Sequence, residues 1–105
     1  MSKKRNKGKK PQNTINTLAK GICTKRKSKG ITQEKLSENT GLTRNCIQQT
    51  ECYEHLPKLP TIFEIMLGLD FSEEESKELL WECLNAYHKD KDLQKEHEKK
   101  LAGVV

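Results

Sequence analysis

The stretch from Thr32 to Glu51, TQEKLSENTGLTRNCIQQTE, limits this chain more than any other, because it sets one glycine between two short helical patterns with few apolar residues. Only Leu36, Leu42 and Ile47 are placed to face inward. Helices this short are not stable alone, so both must pack on partners elsewhere in the chain. Thr32 is positioned to cap the first, over about 32–40, with Gln33 and Glu34 in its opening turn. Thr43 is positioned to cap the second, which is expected to run to about Glu54. Ser37 is small enough for the two helices to approach each other, and Gly41 can take the left-handed conformation that other residues resist. The polar positions are then free to face a ligand.

Three further helices supply the partners. Ile15, Leu18, Ala19, Ile22 and Arg26 recur at helical intervals up to Gly30, which predicts a helix over about 15–29 with Lys20, Lys25, Lys27 and Lys29 on its outer face. Pro57 and Pro60 interrupt the chain before its most apolar segment, Ile62, Phe63, Ile65, Met66 and Leu69, read as a buried fourth helix. Ser72 followed by Glu73, Glu74 and Glu75 is a capping box, with acids at the positive end of the helix dipole. The fifth helix should reach about His88 and bury Leu79, Leu80, Cys83, Leu84 and Tyr87. Trp81 falls on a different side from Leu80, Leu84 and Tyr87, so one set is available to a second subunit unless Trp81 covers the core edge. The expected fold class is all-α, a five-helix bundle.

Charge divides the chain. Residues 1–30 hold eleven Lys and Arg with no acid, while residues 31–105 hold nine against fifteen acids, giving halves of +11 and −6. A basic block of this kind commonly meets a polyanion, although many are solvated tails. Residues 1–12 combine like charges with glycine and proline, and are expected to form a disordered basic arm. The folded domain is placed at 13–89, followed by a charged tail over 90–105 that is either a frayed helix or disordered.

The four cysteines, at 23, 46, 52 and 83, form no CxxC pair and match no disulfide framework, so reduced thiols are expected. Cys46, Cys52 and His55 do not have zinc spacing, and no cofactor is expected. No apolar run approaches the roughly 20 residues needed to span a bilayer, so the chain is expected to be soluble and cytoplasmic. His55, His88 and His97 have no nucleophile and acid arranged around them, which makes an enzyme the least supported class.

Taken together, KGITQEKLSENTGLTRNCIQQTE, then Pro57, Ile62, Ile65, Leu69 and Phe71, resemble the phage repressor and Cro family, also called the XRE family, over about residues 15–72. The resemblance rests on the Thr-Gln-x-x-Leu opening, the turn glycine, and a proline six residues after Glu51. It implies a lambda-repressor-like five-helix bundle with a helix-turn-helix that binds double-stranded operator DNA, commonly as a homodimer on a two-fold site. It places Thr43, Arg44, Asn45, Gln48 and Gln49 at the base-facing positions of the third helix, and Gln33 at a phosphate. Their chemistry suits the role: Arg bonds guanine, and Asn or Gln adenine, in bidentate pairs worth about 1 to 3 kcal/mol of discrimination each. Arg26 and Glu51 match a structural pair tying helix one to the end of helix three. Lys3, Lys4, Arg5, Lys7, Lys9 and Lys10 are similar to basic arms laid along the DNA backbone.

The chain departs from the family pattern at four places. Thr50 stands where an inward aliphatic residue is usual, and Tyr53 and Asp70 stand where glycine is usual. Glu54 and His55 replace commonly basic loop residues. The leading expectation is therefore a sequence-specific transcription regulator of repressor type. The alternative is a protein-interaction adaptor or antitoxin-like protein on the same scaffold, binding a partner through helix five and the tail and DNA only weakly.

Overall fold

A computed structural model describes residues 10–101, with side chains to Asp92. Five α-helices follow in order: α1 Gln12–Ser28, α2 Gln33–Thr40, α3 Arg44–Thr50, α4 Leu59–Gly68 and α5 Glu73–Leu101. No strand occurs among the described residues, and the chain is an all-α bundle. Lys3, Lys4, Arg5, Lys7 and Lys9 lie outside the described residues, as does the end of the tail beyond Leu101.

The short elements start and stop on local chemistry. Thr32 Oγ1 accepts from Lys35 N at 3.0 Å, and Thr43 Oγ1 accepts from Cys46 N at 3.0 Å. At the head of α5, Ser72 Oγ accepts from Glu75 N while Glu75 Oε1 accepts from Ser72 N, closing the capping box in both directions. Pro60 sits in the first turn of α4, where its missing N–H leaves no intrahelical bond unmade. Helix four therefore begins at Leu59, upstream of Ile62.

Leu18, Ile22, Leu36, Ile47, Ile62, Ile65, Met66, Leu69 and Leu79 form one core drawn from all five helices. Burying each such side chain contributes about 1.5 to 3 kcal/mol, which is how α2 and α3 persist at eight and seven residues. α1 packs along α5, and α2 packs on both α3 and α4. The α2–α4 contact is close: a Cβ on Gly68 would overlap Thr40 Cγ2 and lie 3.0 Å from Leu36 Cδ1, so glycine sets how far α2 can sink onto the core.

Several sequence expectations are revised. α1 begins at Gln12, three residues before Ile15, because its first turn receives a cap from far along the chain. Pro11 at the N-cap makes no side-chain cap bond. Instead Asp90 Oδ1 accepts from Asn13 N and Nδ2, and Asp90 Oδ2 accepts from Thr14 N and Oγ1, at 2.8 to 3.0 Å. Docking Asp90 in this way carries α5 past His88, and the helix continues to Leu101. α3 stops at Thr50 rather than near Glu54, since Tyr53 turns the chain with φ 63.

Burial is also redistributed. Leu80, Leu84 and Tyr87 are exposed rather than buried, and Phe63 is exposed on α4. Trp81 shares a surface with Leu80 and Leu84 instead of lying apart from them. Lys25 and Lys29 are not free on the outer face of α1. Lys25 Nζ pairs with Glu75 at 2.9 Å, while Lys29 Nζ donates to the Leu69 and Asp70 carbonyls at 2.7 and 2.9 Å, closing the C-terminal end of α4.

Candidate nucleic-acid interface

The turn between α2 and α3 uses nearly every small polar residue nearby. Gly41 takes φ 80, and its N–H donates to Ser37 O at 2.9 Å. Ser37 Oγ donates to the Leu42 carbonyl, and Thr40 Oγ1 accepts from Leu42 N at 3.1 Å. These bonds fix the angle at which α3 leaves α2. Their number explains half of the polarity between Thr32 and Glu51: Thr32, Ser37, Thr40 and Thr43 serve the backbone.

The other half faces solvent. Arg44, Asn45, Gln48 and Gln49 are exposed, while Ile47 and Thr50 on the same helix are buried. Thr50 takes the usual aliphatic position, and its hydroxyl is satisfied by donating to Cys46 O at 3.0 Å, which removes most of the penalty for burying it. Thr43 is exposed too, but its oxygen is committed to capping α3, so only its O–H remains to donate.

α3 is anchored from behind by Glu51. Arg26 Nε donates to Glu51 Oε2 at 2.8 Å and Arg26 Nη2 to Oε1 at 3.0 Å, a bidentate pair with side chains only 11% and 5% exposed. Arg26 Nη1 also donates to Ile31 O at 2.8 Å, linking α1 to the segment entering α2. Hydrogen bonding to Glu51 raises the Arg26 pKa above its ordinary value. Burial pushes the Glu51 carboxyl up, but bonds from Arg26 and Gln33 outweigh it and hold the group below its ordinary value. The pair is charged at neutral pH.

Gln33 and Lys10 are placed differently from a simple phosphate contact. Gln33 Nε2 donates to Glu51 Oε1 at 3.1 Å, so its side chain turns inward to the ion pair. Lys10 Nζ donates to Glu54 O at 2.8 Å, and Gln12 Nε2 donates to Tyr53 O at 3.0 Å. The chain before α1 is thereby tied to the loop that follows α3, beside the exposed face of that helix. Sequence reasoning missed Gln12 and Asp90, whose partners lie 41 and 77 residues away. No local pattern signals such contacts.

The two positions where glycine is usual, Tyr53 and Asp70, both take positive φ, at 63 and 55. Each closes a turn after a helix without the residue best suited to it. Among the described residues no group of three His, Cys, Asp or Glu could hold a metal ion, and no helix is long and apolar enough to cross a membrane. The cysteines are unpaired, and burial raises the Cys83 thiol pKa above its ordinary value. His88 lies 3.3 Å from Asp92 on the open surface of α5. No family model, curated protein or solved structure matches the chain.

Proposed function

We propose that the protein is a sequence-specific DNA-binding regulator of repressor type, acting as a dimer on a two-fold duplex site through a helix-turn-helix formed by α2, the Gly41 turn and α3. The observation that carries this reading is the split of α3: Ile47, Thr50 and the Arg26–Glu51 pair anchor one side, while Arg44, Asn45, Gln48 and Gln49 project together from the other. Arg44 reads guanine O6 and N7, and the three amides read adenine N6 and N7 or neighbouring acceptors. Thr43 contributes its O–H. With the Gln33 side chain held by Glu51, the phosphate contact there falls to the backbone N–H groups opening α2.

The basic arm supplies the sequence-independent part. Lys10 starts beside the loop after α3, and Lys3, Lys4, Arg5, Lys7 and Lys9 precede it in the chain. These cations follow the phosphate backbone, each contact steepening the salt dependence of affinity by about 0.9 in log–log slope. The acidic half of the chain keeps nucleic acid to one side of the molecule.

A second reading, a protein-interaction adaptor with weak DNA binding, draws on Glu54 and His55 at the loop after α3, where a cation would meet a phosphate. Selection from a random duplex library separates the two. The regulator enriches a palindrome with half-sites about one helical turn apart, and Arg44→Ala with Asn45→Ala abolishes that enrichment. Enrichment of nothing, with weak salt-sensitive binding unchanged by the substitutions, leaves the arm as the DNA contact and favours the adaptor.

A further inference from the structure

α5 carries two stripes offset by a single residue. Leu79, Cys83, Ala86 and Asp90 turn toward the bundle, with Leu79 against Gly21 and Asp90 on the first turn of α1. Leu80, Leu84, Tyr87 and Lys91 repeat the same spacing on the outside. The three apolar members are 43%, 57% and 46% exposed, and Trp81 flanks them at 62%. Lys77, Leu80, Trp81 and Leu84 line one shallow surface.

Extended by helical spacing, the outer stripe runs Glu73, Lys77, Leu80, Leu84, Tyr87, Lys91, in steps of four, three, four, three and four. That order of steps is the same in either direction. Two copies laid antiparallel about residue 82 therefore meet in register along the whole stripe. Leu80 of one lies against Leu84 of the other, Lys77 against the phenol ring of Tyr87, and Glu73 against Lys91. Glu73, Lys77 and Lys91 are all exposed, and the stripe has an acid at one end and a base at the other.

We propose that this stripe is the dimer interface, occupied by α5 of a second copy of the chain in antiparallel, isologous pairing. Self-complementarity favours a second copy over an unrelated partner: the apolar centre, cation against aromatic face, and opposite charges at the ends all match themselves under a two-fold axis. Size agrees. At about 200 Å² per large side chain, the four exposed residues offer roughly 400 Å² of apolar surface per copy. A stable interface takes about 800 Å² from each partner, and the stems of Lys77 and Lys91 with the flanking helix surface extend the patch toward that area. The two-fold DNA site proposed above rests on such a dimer, whereas the dimer rests on no DNA contact.

Sedimentation equilibrium of the full chain, across a concentration series without DNA, tests the pairing. The expected result is a monomer–dimer equilibrium that Leu84→Glu abolishes while circular dichroism shows unchanged helix content. Glu73→Lys and Lys91→Glu each weaken the dimer by about two- to tenfold, because each sets two like-charged pairs face to face. Combining them restores the affinity, since opposite charges then face each other again. A chain that stays monomeric at every concentration, a dimer that survives Leu84→Glu, or a combined variant no tighter than the single ones overturns the proposal. Failure to select a DNA site leaves these results unaltered, so the two readings fall separately.

Discussion

Replacing Asp90 with Ala removes the cap from the first turn of α1 and leaves four donors without their acceptor: Asn13 N and Nδ2, and Thr14 N and Oγ1. Losing a side-chain cap costs about 0.5 to 2 kcal/mol. Thr14 is buried, so its orphaned hydroxyl adds about 1 kcal/mol or more, while water reaches half-buried Asn13 and recovers part of its loss. The sum, about 2 to 3 kcal/mol, corresponds to a fall in Tm of roughly 10 to 20 °C for a domain of this size. Urea denaturation followed by circular dichroism measures it, with Asp92→Ala as control because Asp92 is exposed and pairs only with His88. Burial pushes the Asp90 carboxyl up, but the bonds from Thr14 and Asn13 prevail and hold its pKa below the ordinary 3.8. A depressed native pKa means that the contribution is present above the ordinary value and lost as pH falls through the native one, so wild type and variant should converge in acid. A chain cut after Lys89 should show the same loss as Asp90→Ala. If Asp90→Ala is within 0.5 kcal/mol of the Asp92→Ala control, about the usual size of a surface substitution, the tertiary cap is not what holds the start of α1.

Arg26→Ala strands the Glu51 carboxylate in a site where it is nearly enclosed, and should cost about 3 to 5 kcal/mol in a denaturation experiment; adding Glu51→Ala should recover part of it, since the uncompensated charge is then gone. Tyr53→Gly relieves a left-handed backbone worth about 1 to 2 kcal/mol, against an entropic loss of about 0.5 to 1, so a net gain of up to about 1 kcal/mol is expected, and a destabilised variant would contradict the strain argument. Glu75 is held to a pKa of about 2, first by its bond with Lys25 and then by the Ser72 N–H. Its contribution is therefore present above its ordinary value of 4.5 and lost between there and about 2. The urea midpoint of Glu75→Gln should accordingly vary less over that window than that of the wild type.

What could be read in the sequence was local chemistry. Thr32, Thr43, Gly41 and the Ser72–Glu75 box act on groups within four residues of themselves, so their bonds follow from chain order alone. The core faces of α1 and α2 were equally legible, because Ile15, Leu18, Ile22 and Leu36 compete with no second apolar stripe on their helices. The face of α3 was legible as a set of side chains, and the positions of Arg44, Asn45, Gln48 and Gln49 follow from helical geometry once Ile47 points inward.

Tertiary structure decided what spacing left degenerate. Leu79, Cys83, Ala86 and Asp90 share the periodicity of Leu80, Leu84, Tyr87 and Lys91, and the second set is the larger and more apolar, so composition points to the wrong stripe. Docking on α1 selects the first, since Leu79 meets Gly21 and Asp90 reaches four donors that have no partner nearby in the chain. The same distance rule assigned Lys25 and Lys29 to the α4–α5 corner and Gln33 to Glu51. Sequence by itself determined where the helices begin and turn, because those bonds close over a few residues. Which face each helix buries, and which polar groups remain for a ligand, depended on neighbours that only the folded chain brings within reach.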